Sequence, residues 1–152
     1  MNIGFTGTQE SLTSVQREAL FRVLHEYARH EERVFHHGNC IGADASSHYI
    51  AGIFGFRRAL HRPVSGKKEA PCARHLLPGD EVLPRKDYLA RNQDIVNATS
   101  VLIACPKEET GEALRSGTWS TVRYARSLKR KILIIRPSGK VEIENDRTSL
   151  ES

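Results

Sequence analysis

The sequence predicts an α/β fold: a single three-layer sandwich with a mostly parallel, open sheet of about five strands and helices on both faces. Three observations predict it. Short apolar runs alternate along the chain with segments of helical periodicity. The clearest run, Val101–Cys105, is unbroken in apolar residues, as a strand covered on both faces requires. Three of the strand exits combine glycine with Ser, Thr, Asn or Asp ahead of a helix, the pattern of parallel crossovers. The 152 residues suit one domain around one core.

In chain order, residues 2–6 are the first strand, left by the loop Gly7-Thr8-Gln9. Thr13, with Gln16 three residues on, reads as a capping box, and Leu20, Val23, Leu24 and Tyr27 form the stripe of a helix ending near residues 30–32. Residues 33–37 are the second strand, and 38–44 turn the chain into a small-residue helix that ends near 52–55. Residues 58–64 make a third strand, weakened by Pro63. Residues 65–84 read as a long loop rich in Lys, Arg, Pro and Gly. A helix over 85–98 offers Tyr88, Leu89, Ile95 and Val96 for burial and leads into the central strand at 101. Pro106 stops that strand. After a polar loop, Val122, Ala125 and Leu128 mark a helix with Lys129–Lys131 at its negative end. Residues 131–136 are the next buried strand, closed by Pro137. The domain therefore spans 1–137, and 138–152 is a polar tail in which Val141-Glu-Ile offers a short edge strand.

Composition narrows the function classes. No apolar stretch is long enough to span a bilayer, and the N-terminus enters a strand without a signal-peptide pattern. Cys40, Cys72 and Cys105 are odd in number and unpatterned, which points to a reducing cytoplasm. The net charge of +5 suits an anionic ligand and suits plain solubility equally.

The loops 4–9, 38–44 and 106–118 leave the carboxyl ends of strands, so a parallel sheet brings them to one edge. Neither the P-loop nor the dinucleotide fingerprint is present. At Arg115-Ser116-Gly117-Thr118 the loop becomes a helix whose free N–H groups and dipole favour an anion. An ordinary Ser/Thr cap uses the same residues. The expected pocket takes Gly7, Thr8, Gly38, Asn39, Gly42, Asp44, Arg91, Asn92, Arg115, Ser116, Gly117 and Thr118, and the expected occupant is a nucleotide-type small molecule.

Several of these residues have a plainer use. Arg91 fits a bidentate grip on phosphate or a solvated helix face. Asn92 fits a donor to base or ribose, or a buried amide. Asp44 fits a ribose acceptor or a helix cap. Trp119, the lone tryptophan, fits base stacking or core, with core favoured. His36, His37 and Cys40 invite a metal, but no second ligand cluster accompanies them, so neither metal nor cofactor is expected. The basic stretch that includes Lys67, Lys68 and Arg74 contains no aromatic between 67 and 74. It reads as a solvated loop or a lid over phosphates, and nucleic acid ranks below both.

Gly-Phe-Thr-Gly-Thr at 4–8, His-His-Gly-Asn-Cys-Ile-Gly-Ala-Asp at 36–44, Arg-Asn-Gln-Asp-Ile-Val at 91–96, Val-Leu-Ile-Ala-Cys-Pro at 101–106 and Arg-Ser-Gly-Thr-Trp at 115–119 carry a resemblance. They resemble the SLOG superfamily of Rossmann-like proteins, which includes LOG-type phosphoribohydrolases and DprA-like and YpsA-related proteins. The small YpsA-related branch is the most similar. The resemblance implies a nucleotide-binding Rossmann-like domain and a homo-oligomer. LOG enzymes cleave the N-glycosidic bond of adenine-type nucleotides, using an arginine before the central strand, a Pro-Gly-Gly-x-Gly-Thr loop and a glutamate three residues past that threonine. Arg91 falls on the arginine and Gly117-Thr118 on the loop's end. The loop is expanded by 107–114, and Thr121 stands where the glutamate belongs. Threonine supplies no carboxylate for such chemistry. Binding, by a sensor or a sequestering protein, is therefore the first expectation. Hydrolysis by Arg91 with Asp44, or with Glu112 or another loop glutamate (Glu108, Glu109), is the alternative.

Overall fold

Seven strands form the sheet, two more than the sequence suggests. The computed structural model describes residues 1–29 and 33–146. The elements run β1 (Asn2–Gly7), α1 (Ser14–Tyr27), β2 (Val34–His37), α2 (Ala43–Ile53), β3 (Arg57–Pro63), β4 (Glu81–Lys86), α3 (Tyr88–Asn97), β5 (Val101–Cys105), α4 (Gly117–Ser127), β6 (Lys131–Ile135) and β7 (Val141–Glu144). Strand order is β4-β3-β2-β1-β5-β6-β7, and the pairings are parallel except β6 with β7. The end expected for the first helix falls at 30–32, outside the described residues.

Alternation along the central strands explains the two helix layers. In β5, Val101, Ile103 and Cys105 join Ile3, Phe5, Leu20, Leu24 and Phe35 in a core shared with α1 and α2. Leu102 and Ala104 face the other way, onto Val96, Trp119, Val122 and Ala125 of α3 and α4. Thr13 and Gln16 close the expected capping box. The Gln16 amide also donates to the carbonyls of Pro106 (3.0 Å) and Ile135 (2.8 Å), tying α1 to the ends of β5 and β6.

The stretch 65–84 corrects the sequence reading. It contains a 3-10 turn at Pro71–Arg74 and most of β4, which adds in parallel to β3. β4 is an edge strand, so the N–H that Pro84 lacks is not missed there. α3 accordingly begins at Tyr88 instead of residue 85. Arg58 and Asp80 anchor this region with a buried pair at 2.5 Å, their side chains 3% and 1% exposed. Arg58 also donates to the carbonyls of His48 and His75.

β1 pairs with β2 on one side and β5 on the other, so strand order reverses at β1. The crevice above β1 and β5 is where such sheets bind ligands.

Candidate functional site

A cleft of about 660 Å³ opens at the carboxyl ends of β1 and β5, and all three glycine-bearing loops contribute to it. Gly7, Thr8, Gly38, Asp44, Arg91, Asn92, Arg115, Ser116, Gly117 and Thr118 line it.

Its β5 side is the start of α4. Ser116 is the N-cap, and its hydroxyl accepts from Trp119 N–H at 3.2 Å, so that oxygen is occupied. The N–H groups of Gly117 and Thr118 have no acceptor among the described residues. A Cβ added at Gly117 would meet nothing within 4 Å, so open space lies beside this turn. Arg115 and Lys107 line the cleft beside this turn, exposed and without an ion pair among the described residues. The expanded loop is held in place. Arg136 donates to the carbonyls of Glu108 (3.2 Å) and Gly111 (2.9 Å), and Arg123 to that of Leu114 (3.1 Å).

The β2 side is built on Gly38. The Arg91 guanidinium donates to the carbonyls of Gly38 and His61, and its Nε–H to Asn92 Oδ1 at 2.8 Å. Arg91 is buried, so much of it serves to brace the cleft wall. A Cβ at position 38 would lie 2.5 Å from Arg91 Nη1 and 3.0 Å from Asp44 Oδ2, which explains the glycine. Asp44, in the first turn of α2, accepts from Cys40 N–H at 3.0 Å. Burial pushes its carboxyl up to about 6, against the opposing pull of Arg91 and the Cys40 and Gly38 N–H groups.

That shift has a consequence. A carboxyl raised in the folded state contributes stability fully present below its unfolded value of 3.8, lost as pH rises through about 6. Asp44→Asn is expected to stabilise the fold by about 2–3 kcal/mol near pH 7.5, with the gain vanishing toward about pH 4. Urea unfolding at the two pH values measures this. Equal stability at both would mean that Asp44 ionises normally.

Some expected residues lie elsewhere. Gly42 caps α2 at φ +86, and its missing Cβ would sit 2.4 Å from the Gln9 carbonyl oxygen. It docks two loops and does not line the cleft. Asn39 is fully buried, with its amide on Glu69 at 3.1 Å. Glu112 points away to Arg126 (2.8 Å) and Arg123 (3.9 Å), and the Arg126 hydrogen bond holds it below the usual carboxylate range. Glu109 bonds Ser138, so Glu108 is the loop glutamate that lines the cleft, with one oxygen on Trp119 Nε1 at 2.8 Å. Trp119 itself is core, 0% exposed. Thr121 is buried and donates to the Gly117 carbonyl at 2.8 Å.

The adjacent histidines project to opposite faces. His36 meets His61 at 2.8 Å, and burial lowers both to about 4. His37, His48 and Cys72 cluster in the interior, whereas Cys40 lies near Arg91. Asn39 N–H donates to His37 Nδ1 (3.0 Å), which puts the proton on Nε2, facing His48 Nδ1 (3.0 Å). His48 Nε2–H then donates to the His75 carbonyl (3.0 Å). Hydrogen bonds therefore use the lone pairs that a metal would need.

Sequence reasoning missed Tyr88 as a lining residue, whereas Lys68 belongs to the stretch read as a solvated loop or a lid over phosphates. Helical spacing assigns Tyr88 to the interior. Its place three residues before Arg91, on the same helical face, was the available signal.

No protein-family model matches the chain, and no curated protein matches it. Solved structures do. A molybdenum cofactor binding protein from the phototrophic bacterium Rippkaea orientalis is 20% identical, with a TM-score of 0.66 over 89% of this chain and 76% of that one. DNA processing protein A from Helicobacter pylori, described by its single-stranded DNA binding mode, is 19% identical with a TM-score of 0.64. The match covers 88% of this chain and 64% of that protein. The molybdenum cofactor carrier protein of Chlamydomonas reinhardtii is 16% identical, with a TM-score of 0.60 over 88% and 74% of the two chains. At these identities the likeness is one of fold alone, a mostly parallel α/β sheet with helices on both faces.

Proposed function

We propose that this protein binds a nucleotide or nucleotide-derived ligand in the cleft above β1 and β5, as a sensor or sequestering protein akin to the YpsA-related branch. The observation that carries the reading is the first turn of α4. Two N–H groups without acceptors among the described residues line the cleft there, with Arg115 and Lys107 beside them and open space at the Gly117 Cβ position. Phosphate is the anion that such a turn and such side chains recognise. Lys68 adds a third exposed cation to the cleft. The resemblance adds two further proposals, a homo-oligomer and a cytoplasmic setting.

Two competing occupants enter the same test. Asp44, buried and with its carboxyl raised to about 6, favours a hydrolytic version in which it shuttles a proton during N-glycosidic cleavage. The likeness to DNA processing protein A gives no support to setting nucleic acid aside, as the sequence alone does. Arg115, Lys107 and Lys68, without ion pairs among the described residues, would also suit a single-stranded backbone.

The protein is incubated with nucleoside monophosphates, ADP-ribose, cyclic nucleotides and a short single-stranded oligonucleotide. Thermal shift is followed by mass spectrometry of the small molecules. A binder at about a hundredfold its Kd stabilises the fold by about 2.7 kcal/mol. A shift with the ligand mass intact supports binding, and release of free base supports the hydrolytic version. A shift with the oligonucleotide alone would move the reading to nucleic acid. No shift with any of them would end it.

A further inference from the structure

We infer that the first turn of α3 reads a planar heteroaromatic ring, with Tyr88 as the stacking face and the Asn92 amide as the hydrogen-bond donor. This rests on the reading of the cleft given above and names the ligand's other end.

Tyr88, Arg91 and Asn92 stand at i, i+3 and i+4, so they share one helical face, and all three line the cleft. The lining holds two aromatics. Phe5 is fully buried in the core, whereas Tyr88 is 38% exposed. The Arg91 guanidinium lies 5.3 Å from the Tyr88 ring centre and is itself fixed by the Gly38 and His61 carbonyls. The ring therefore rests on a braced cation, which limits the ordering that stacking must impose.

Asn92 adds direction. The Arg91 Nε–H needs an acceptor and takes Asn92 Oδ1, so the Asn92 NH₂ is the end left over. It has no acceptor among the described residues. The ligand that fits this turn has a π face and an acceptor edge, such as a ring nitrogen or a ring carbonyl. With phosphate on α4 and the ring on α3, one molecule spans the crevice across β1. A sugar phosphate without a base satisfies only the α4 end.

Calorimetric titrations of the native protein, Tyr88→Ala, Tyr88→Phe and Asn92→Asp with AMP, GMP and ribose 5-phosphate test this. Asn92→Asp keeps the oxygen that Arg91 needs and removes the donor. Tyr88→Ala should weaken the tighter-binding nucleotide at least about fivefold, the lower range for a base stacked on an aromatic. Tyr88→Phe should stay within about twofold, because the ring face is retained. Asn92→Asp should weaken the nucleotide more than ribose 5-phosphate, and ribose 5-phosphate should not respond to Tyr88→Ala. Nucleotides that bind no tighter than ribose 5-phosphate would overturn the ring site while leaving the phosphate site standing. So would a Tyr88→Ala variant that loses both ligands equally, or neither. Binding of none of the three would remove the cleft reading and this inference together.

Discussion

Gly117→Asp is expected to weaken nucleotide binding at least about thirtyfold without harming the fold. The aspartate would place a carboxylate at the first residue of α4, where phosphate is proposed to sit. A Cβ there meets nothing within 4 Å, so the side chain enters without a clash. Its charge also suits the helix N-terminus, which raises stability by about 0.3–1 kcal/mol. Against a phosphate the same charge is repulsive, and like charges facing each other in an interface cost several kcal/mol. A loss of roughly 2–4 kcal/mol, about thirty- to a thousandfold in Kd, follows at unchanged or raised Tm. Gly117→Ala, lacking the charge, should keep most of the affinity. Nucleotide binding undiminished in Gly117→Asp would place the phosphate elsewhere.

The largest effect on stability is expected at Arg58, well away from the cleft. Arg58→Met leaves Asp80 as a buried carboxylate without its guanidinium and strips a donor from the His48 and His75 carbonyls. Removing one partner of a buried pair costs about 3–5 kcal/mol. Burial alone would raise the Asp80 carboxyl, but the Arg58 hydrogen bond and the Leu77 and Arg58 N–H groups outweigh it and hold it below its usual value. A depressed carboxyl contributes stability above its unfolded pKa and loses it as pH falls through the folded one. The difference between native protein and Arg58→Met should therefore be greatest near neutral pH and shrink on acidification, when Asp80 becomes neutral. Urea unfolding at pH 7 and at a pH below 3.8, the ordinary carboxyl value, checks this. A penalty below about 1 kcal/mol at pH 7 would mean that the pair is solvated.

The two effects separate what the sequence shows from what it hides. Residues 101–105 declare β5 because every side chain is apolar, and the capping box at Thr13 and Gln16 declares α1. β4 is hidden. It lies at an edge, carries Pro84 and is mostly exposed, so it has no apolar alternation to read. The pairing of Arg58 with Asp80 is hidden as well, because 22 residues separate them and only the β3–β4 connection brings them together. At the cleft, Gly38 and Gly117 have the same sequence signature as Gly42. Gly38 makes room for Arg91 and Asp44, Gly117 leaves open space, and Gly42 serves loop docking through its positive φ. Local composition cannot separate those roles. Tyr88 shows the reverse error, because helical spacing assigns it to the interior although its turn faces the crevice.

A phosphate seated on the first turn of α4 would hydrogen-bond the Gly117 and Thr118 N–H groups. Amide NMR during titration with AMP reads those two groups one by one. Large, saturable downfield shifts of the Gly117 and Thr118 amide protons are expected, with smaller changes at Gly7 and Gly38. Saturable shifts confined to the basic stretch around Lys67 and Lys68, with Gly117 and Thr118 unmoved, would contradict that placement.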